Sequence, residues 1–171
     1  GGGIKTVKDI KQILSVGAEK VCICTSALEN PILIKEASET FGSQSIVVSI
    51  DVKKGFFGKY EVYKKCGTKS AGVEPVKYAK DIAGMGAGEI LINSIDRDGT
   101  MQGYDIELLR KITAEVDIPV IACGGAGKYE DLSEGIHSAK CPAVAAGSLF
   151  VFHGKRRAVL VNYPSKEDLL T

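Results

Sequence analysis

The sequence predicts an α/β fold of the (β/α)₈ TIM-barrel type, present as a partial barrel. Two observations lead to this fold class. Short runs of β-branched residues alternate with amphipathic helical stretches along the chain, which favours a parallel sheet with crossover helices. A glycine-rich segment also occurs twice, and this repeat favours a closed barrel over an open sheet. Since no linker or low-complexity segment divides the chain, we expect residues 1–171 to form one domain.

The repeat relates the first residues to a segment near the C-terminus. Residues 1–21 read GGGIKTVKDIKQILSVGAEKV, and residues 124–144 read GGAGKYEDLSEGIHSAKCPAV. Both begin with a glycine-rich strand exit, continue through a helix that carries an acidic residue, and end at a turn into a strand. The offset of about 122 residues is close to half of the roughly 250 in a complete barrel. It predicts a duplicated half-barrel, with a coincidental glycine match as the alternative. Because the sequence opens inside a glycine-rich turn, we expect that N-terminal strands are missing from it.

Five near-continuous apolar runs predict the strands, as is typical of parallel strands covered on both faces. These runs are residues 20–25, 45–52, 89–95, 119–123 and 143–147.

The helices between these runs begin at recognisable caps. Thr6 with Asp9 resembles a capping box, Asn30 followed by Pro31 predicts a cap with a first-turn proline, and Asp105 can cap a later helix. One segment breaks the alternation, because residues 57–66 predict a hairpin inserted after the second strand.

The composition is that of an ordinary globular protein and excludes several function classes. The chain has 171 residues, of which 44% are hydrophobic and 25% charged, with a formal net charge of +1. This balance gives no basic surface for nucleic acid, and no apolar run is long enough to cross a membrane. The five cysteines lack paired metal-ligand spacing, and we expect Cys22 and Cys24 to point to opposite faces of a strand. We therefore expect no metal site and a reducing, cytoplasmic environment.

The two glycine-rich exits, Gly1–Gly3 and residues 124–127, are candidate phosphate-binding loops. Backbone N–H groups before a helix bind phosphate, and glycine allows the oxygen atoms to approach closely. The alternative is a tight turn that needs a positive φ. Each loop has a neighbouring strand exit, marked by Thr25 in one repeat and by Gly147 and Ser148 in the other. We therefore predict two phosphates at opposite ends of one elongated ligand.

Acidic residues at two strand ends are candidates for catalysis. Asp51 ends the second predicted strand, and barrel active sites lie at the carboxyl ends of the strands. It is therefore placed for acid–base work, the alternative being a solvated residue at the start of a loop. In the segment NSIDRDGT, Asp98 with Gly99 is the better candidate for contact with a ligand. Asp96 and Arg97 are expected to pair with each other and shape the loop.

Several of these segments resemble the cyclase subunit of imidazole glycerol phosphate synthase. They are GGGIKTVKD, GAEKVCICTSALENP, FGSQSIVVSIDVK, GAGEILINSIDRDGTMQGYD and IPVIACGGAGKYEDL, and the match runs from residue 1 to about 152. The resemblance implies a (β/α)₈ barrel represented from the exit of its third strand, through about strands 4 to 8. It also implies a reaction in which ammonia from a partner glutaminase converts a bis-phosphorylated ribulosyl aminoimidazole-carboxamide nucleotide. The products are imidazole glycerol phosphate and an aminoimidazole-carboxamide ribotide, and no cofactor is expected.

The resemblance also implies roles for individual residues. Asp51 matches one of two catalytic aspartates, and the other belongs to a first strand that this sequence does not include. Lys20 and Glu89 match charged residues that gate ammonia at the bottom of the barrel, and Glu19 lies where the glutaminase docks. Asp98 is also a catalytic candidate. The positions that match the substrate and phosphate sites are Gly3, Cys24, Thr25, Asn93, Asp98, Gly99, Cys123, Gly125, Gly147 and Ser148.

Three of these positions depart from the family pattern. Cys24 replaces an asparagine, Asn93 a threonine and Cys123 a serine, while the tail HGKRRAVLVNYPSKEDLL resembles paralogues from surface-polysaccharide gene sets. Two alternatives therefore stand beside the cyclase. One is a paralogue that channels ammonia for amidation of a surface-polysaccharide sugar. The other is a catalytically incompetent partial barrel, because five strand units cannot close an eight-stranded barrel.

Overall fold

A computed structural model describes residues 1–55, 57–154, 157–161 and 163. Strands and helices alternate through most of this part of the chain. The strands are β1 (Val21–Ile23), β2 (Ile46–Lys54), β3 (Tyr60–Lys64), β4 (Lys69–Ser70), β5 (Glu89–Ser94), β6 (Val120–Cys123), β7 (Ala143–Val144), β8 (Phe152–His153) and β9 (Ala158–Val159). The helices are α1 (Val7–Ser15), α2 (Thr25–Glu29), α3 (Ile32–Phe41), α4 (Pro75–Gly84), α5 (Ile106–Thr113), α6 (Tyr129–His137) and α7 (Ser148–Val151), with a 3₁₀ turn at Ser43–Ser45.

The five predicted parallel strands form the main sheet in the order β1-β2-β5-β6-β7. This arrangement confirms the α/β fold and the parallel sheet expected of a partial (β/α)₈ barrel. Three predicted strands are too long at their carboxyl ends, the one over residues 89–95 by a single residue. Thr25 begins α2 instead of ending β1, because the carbonyl of Cys24 already accepts N–H bonds from Ala27 and Leu28. Residues 145–147 likewise follow β7 as a loop that leads into α7.

The two faces of this sheet differ in their covering. Ile50, Ile90 and Ile92 are fully buried and belong to one apolar core with residues of α3, α4 and α5. The residues between them point to the opposite face, which we call the inner face, and are only half-buried. These inner-face residues are Ser49, Asp51, Leu91, Asn93, Ile121 and Cys123.

The predicted hairpin is present, and it pairs with the end of β2, beyond the residues of β2 that pair with β1. β3 pairs antiparallel with the last four residues of β2, and β4 continues the hairpin. This pairing extends β2 to Lys54, two residues beyond the predicted end. Tyr60 is buried, and its hydroxyl donates to both carboxylate oxygens of Asp105 at 3.1 Å. The hairpin is therefore fixed to the start of α5.

Two of the three predicted helix caps are confirmed. Thr6 and Asp9 form the capping box of α1, and Asp105 accepts the N–H of Leu108 at 3.1 Å. The third prediction is displaced by one residue, since α3 begins at Ile32 and Pro31 is its N-cap. Its neighbour Asn30 instead ends α2.

Among the described residues, no helix is long and apolar enough to cross a membrane. Within the same residues, no three histidine, cysteine or acidic side chains come together as ligands for a metal ion.

Candidate functional site

The two glycine-rich loops have the same backbone shape. Gly2 and Gly3 have φ values of 85° and 72°, and their counterparts Gly124 and Gly125 have values of 85° and 116°. L-residues with side chains rarely adopt such values. Both loops lead into a helix of nine residues, α1 and α6. The conformations therefore repeat along with the sequence, which argues against a coincidental glycine match.

Each loop is closed by a carboxylate from the first turn of its helix. Asp9 Oδ2 accepts the N–H groups of Lys5 and Thr6 at 3.0 and 2.9 Å. At the matching place, Asp131 Oδ2 accepts the N–H groups of Gly127 and Lys128 at 2.8 and 3.1 Å. These donors are engaged within the protein, which leaves the glycine N–H groups that precede them as the candidates for contact with an anion.

The strand exits next to the loops differ in their surroundings. The Oγ1 of Thr25 accepts the N–H of Lys65 from the tip of the β3–β4 hairpin at 3.0 Å. A hydroxyl both donates and accepts, so Thr25 still has a proton to donate to an anion. The matching residues Gly147 and Ser148 lie at the start of α7. The Lys65 contact was not predicted, since no local pattern relates residues 25 and 65.

Asp51 lies on the inner face, at the level where the parallel strands end. Its strand partner in β5 is Asn93, whose own partner in β6 is Cys123. The Nδ2 of Asn93 donates to Asp51 Oδ1 at 3.2 Å, and the Cys24 Sγ lies 3.8 Å from Asp51 Oδ2. Asp51 in β2 is therefore in direct contact with two other predicted site residues, Asn93 in β5 and Cys24 at the exit of β1.

The cysteines around Asp51 are neutral thiols. Burial, and secondarily the negative charge of Asp51, raises the pKa of Cys24 to about 12. Burial also raises the pKa of Cys123, with a further contribution from Asp98. The expectation that Cys22 and Cys24 face opposite sides is wrong, because residues two apart along a strand share a face. Asp51 accordingly raises the pKa of Cys22 as well, after the larger effect of burial.

The loop after β5 brings Asp98 towards the same region. Asp98 is exposed, and Gly99 has a φ of 73°. The expected pairing of Asp96 with Arg97 is wrong. Asp96 Oδ2 accepts the N–H of Lys54 at 2.6 Å, and Arg97 Nη1 donates to the carbonyl of Gly103 at 3.2 Å. Arg97 shapes the loop through backbone carbonyls, which leaves the Asp98 carboxylate at the surface.

Lys20 and Glu89 form an ion pair at the other end of the inner face. Lys20 precedes β1, and Glu89 is the first residue of β5. The pair is partly exposed, so its contribution to the free energy of unfolding is small. It stands at the amino ends of the strands, opposite Asp51, as the sequence predicted.

Comparison of the sequence with known proteins identifies the family of this chain. The model of the histidine biosynthesis protein family matches residues 1–156. The chain belongs to this family.

Individual members of the family are close in sequence. The subunit HisF of imidazole glycerol phosphate synthase from Sulfurisphaera tokodaii is 50% identical over 153 residues, which are 90% of this chain and 59% of that protein. The same subunit from Alkaliphilus metalliredigens is 47% identical over 90% of this chain and 61% of its own length. A Pseudomonas aeruginosa protein named "Putative imidazole glycerol phosphate synthase subunit hisF2" is 49% identical over 99% of this chain and 67% of its own length. The chain thus spans about two thirds of the length of the curated relatives that it matches.

Within this histidine biosynthesis family, the structure brings together residues that depart from the expected pattern. Cys24 and Asn93 stand at two positions where the resemblance implies other residues, and both contact Asp51. The third departure, Cys123, lies next to Asn93 in the sheet. The three positions where the resemblance implies other residues are therefore clustered around one carboxylate.

Proposed function

We propose that this chain carries out the cyclase reaction of imidazole glycerol phosphate synthase. In this reaction ammonia converts the bis-phosphorylated ribulosyl aminoimidazole-carboxamide nucleotide to imidazole glycerol phosphate and an aminoimidazole-carboxamide ribotide. The observation that carries the proposal is the position of Asp51, at the carboxyl ends of the strands and on the level of two matched glycine loops. Such a carboxylate can exchange protons with the central part of a ligand held at both ends.

The proposed roles of the residues follow from their positions. The loop at Gly3, with Thr25, binds one phosphate, and the loop at Gly125, with Gly147 and Ser148, binds the other. Asp51 acts as the general acid or base. The exposed Asp98 carboxylate and the N–H of Gly99 contact the ligand from the loop after β5, and Asp98 is a second candidate for proton transfer.

The ammonia in this proposal comes from a separate glutaminase subunit. That subunit docks at the amino ends of the strands, where Glu19 is exposed. The Lys20–Glu89 pair then lies between the docked partner and the inner face, and acts as the gate for ammonia. No cofactor or metal ion is needed for the proposed chemistry.

A second candidate function is ammonia channelling to a separate amidotransferase that modifies a surface-polysaccharide sugar. The observation in its favour is the contrast between the two ends of the inner face. The charged pair at the amino ends keeps the residues expected of a gate, whereas Cys24 and Cys123 place neutral thiols beside the loops that would bind phosphate.

A steady-state assay with ammonia and the nucleotide substrate tests the proposal. We expect turnover by the unaltered chain and a loss of about 10²- to 10⁴-fold in kcat for Asp51→Asn, which removes the proton-transfer group. KM should change little, because the amide keeps the shape of the side chain. The matched control is Asp117→Asn, an exposed aspartate before the amino end of β6, which should keep full activity.

The other outcomes each decide against a specific part of the proposal. Retained turnover in Asp51→Asn would show that another residue carries the proton. An unaltered chain that accelerates a glutaminase but has no cyclase turnover would favour the channelling function. A chain with neither property would favour the catalytically incompetent partial barrel.

A further inference from the structure

The side chain of Asn93 lies between the catalytic candidate and the second glycine loop. Its Nδ2 donates to Asp51 Oδ1 at 3.2 Å. On its other side, a Cβ at Gly124 would lie 2.8 Å from the Asn93 Oδ1 and 2.7 Å from the Ser94 carbonyl oxygen. The loop backbone therefore packs directly against the Asn93 amide, and only a glycine at position 124 allows this approach.

Among the described contacts, only the hydrogen bond to Asp51 determines the orientation of the Asn93 amide. Asn93 Oδ1 is buried and has no hydrogen-bond partner in the described part of the chain. Rotating the amide by half a turn would place this oxygen against the Asp51 carboxylate, which repels it. The one orientation that gives the carboxylate a donor thus leaves a buried acceptor unsatisfied, at a cost in free energy. A side chain kept in this state is unfavourable for packing alone, which indicates a role in the site.

We propose that Asn93 is a positioning residue that holds Asp51 and the loop at Gly124 in a fixed relation. Through its N–H group it fixes the rotamer of Asp51, and through its carbonyl it keeps the distance to the loop. Binding of a phosphate at the loop and the orientation of Asp51 are then coupled across a single side chain. This inference rests on the proposed cyclase function, and it adds a residue that acts through Asp51 instead of touching the reacting atoms.

Two substitutions of similar size separate the hydrogen bond from the charge. Asn93→Leu removes the donor and adds no charge, whereas Asn93→Asp replaces the donor with a second carboxylate. Because a bond to a charged group is lost, we expect kcat to fall about 10- to 100-fold in both variants. In Asn93→Asp the two neighbouring carboxylates share a proton, so the acidic limb of the pH–rate profile should move up by about one unit or more. In Asn93→Leu this limb should move up by less, because the carboxylate loses a donor but gains no neighbouring charge.

A matched control and an activity-independent measurement complete the test. Asn30→Asp makes the same chemical change at an exposed position, and it should leave kcat and the pH profile unchanged. The ¹³C carboxyl signal of Asp51, identified by its absence in Asp51→Asn, should titrate at higher pH in Asn93→Asp than in the unaltered chain.

The two proposals fail in different ways. If the unaltered chain has no turnover, the cyclase function fails, but the ¹³C titration still tests the contact between Asn93 and Asp51. If the unaltered chain is active and Asn93→Asp retains its kcat and its pH profile, the positioning role is wrong. An unchanged ¹³C titration in Asn93→Asp would overturn it as well.

Discussion

Replacing Asp131 by alanine tests the idea that a buried carboxylate builds the second glycine loop. Asp131 is 6% exposed, and its Oδ2 accepts the N–H groups of Gly127 and Lys128. Alanine leaves both donors without a partner in a part-buried place and also removes a helix cap. Together these losses amount to about 3 kcal/mol in the free energy of unfolding. For a chain of this size, that corresponds to a fall of roughly 6 to 12 °C in Tm.

The repeat supplies a matched control for this variant. Asp9 makes the same two backbone contacts in the first loop, but Asp9 is only half-buried and its donors Lys5 and Thr6 are exposed. After Asp9→Ala, water can reach the released N–H groups of Lys5 and Thr6, so the fall in Tm should be smaller than for Asp131→Ala. The N–H bonds to Asp9, led by that from Lys5, lower its pKa. Its stabilising effect is therefore complete above the ordinary aspartate value of about 3.9 and is lost as the pH falls through the lowered value.

Urea unfolding followed by circular dichroism, together with thermal melts, measures both variants at pH 7 and pH 3. We expect Asp131→Ala to be the less stable variant at pH 7, and the difference between Asp9→Ala and the unaltered chain to shrink at low pH. The reasoning is refuted if Asp131→Ala unfolds within about 0.5 kcal/mol of the unaltered chain, which is the range of ordinary surface substitutions. It is also refuted if Asp9→Ala has the larger effect.

Two further predictions concern the second loop and the thiol next to Asp51. Gly125→Ala should weaken the binding of inorganic phosphate in calorimetry and lower Tm, because its φ of 116° is strained for alanine and a Cβ would overlap the Gly103 carbonyl. Gly84→Ala, with open space around its Cβ and an ordinary φ, is the control, and equal behaviour of the two variants would contradict the prediction. Cys24, with a pKa of about 12, should be alkylated far more slowly at pH 8 than the exposed Cys66, as followed by mass spectrometry. Asp51→Asn removes a negative charge, so it should lower the Cys24 pKa and speed the alkylation; an unchanged rate would show that burial alone protects the thiol.

The local features of this fold could be predicted from the sequence because they depend on short-range patterns. Apolar runs located the five parallel strands, and the side chains of Thr6 and Asp105 marked the starts of α1 and α5. The errors in the predicted helices and strands lie at their ends, where competing local hydrogen bonds decide at which residue an element begins or ends. The carbonyl of Cys24 begins a helix immediately after β1, and α3 begins one residue later than Asn30 and Pro31 suggest.

The side-chain contacts of the site depend on strand register, which a single sequence does not reveal. Asp51 meets Asn93 because β2 and β5 pair in one register, over a separation of 42 residues. Asp96 pairs with the backbone of Lys54 instead of with Arg97 for the same reason, since the end of β2 passes beside the loop after β5. The contact partners of the candidate site residues were therefore not predictable from the sequence.

The β3–β4 hairpin makes the two ends of the candidate site different. In the proposed function, two glycine loops with the same backbone shape could hold an elongated ligand in either direction, and only one direction would present the reacting end correctly. The hairpin makes the surroundings of the two loops unequal, because Lys65 at its tip contacts Thr25 and its Lys64 pairs with Glu29, both beside the first loop. A difference of about 1.4 kcal/mol in binding free energy between the two ligand orientations is enough for a tenfold preference for one of them. An insertion at one edge of the sheet can thus make two loops of the same shape unequal, which the proposed asymmetric substrate would require.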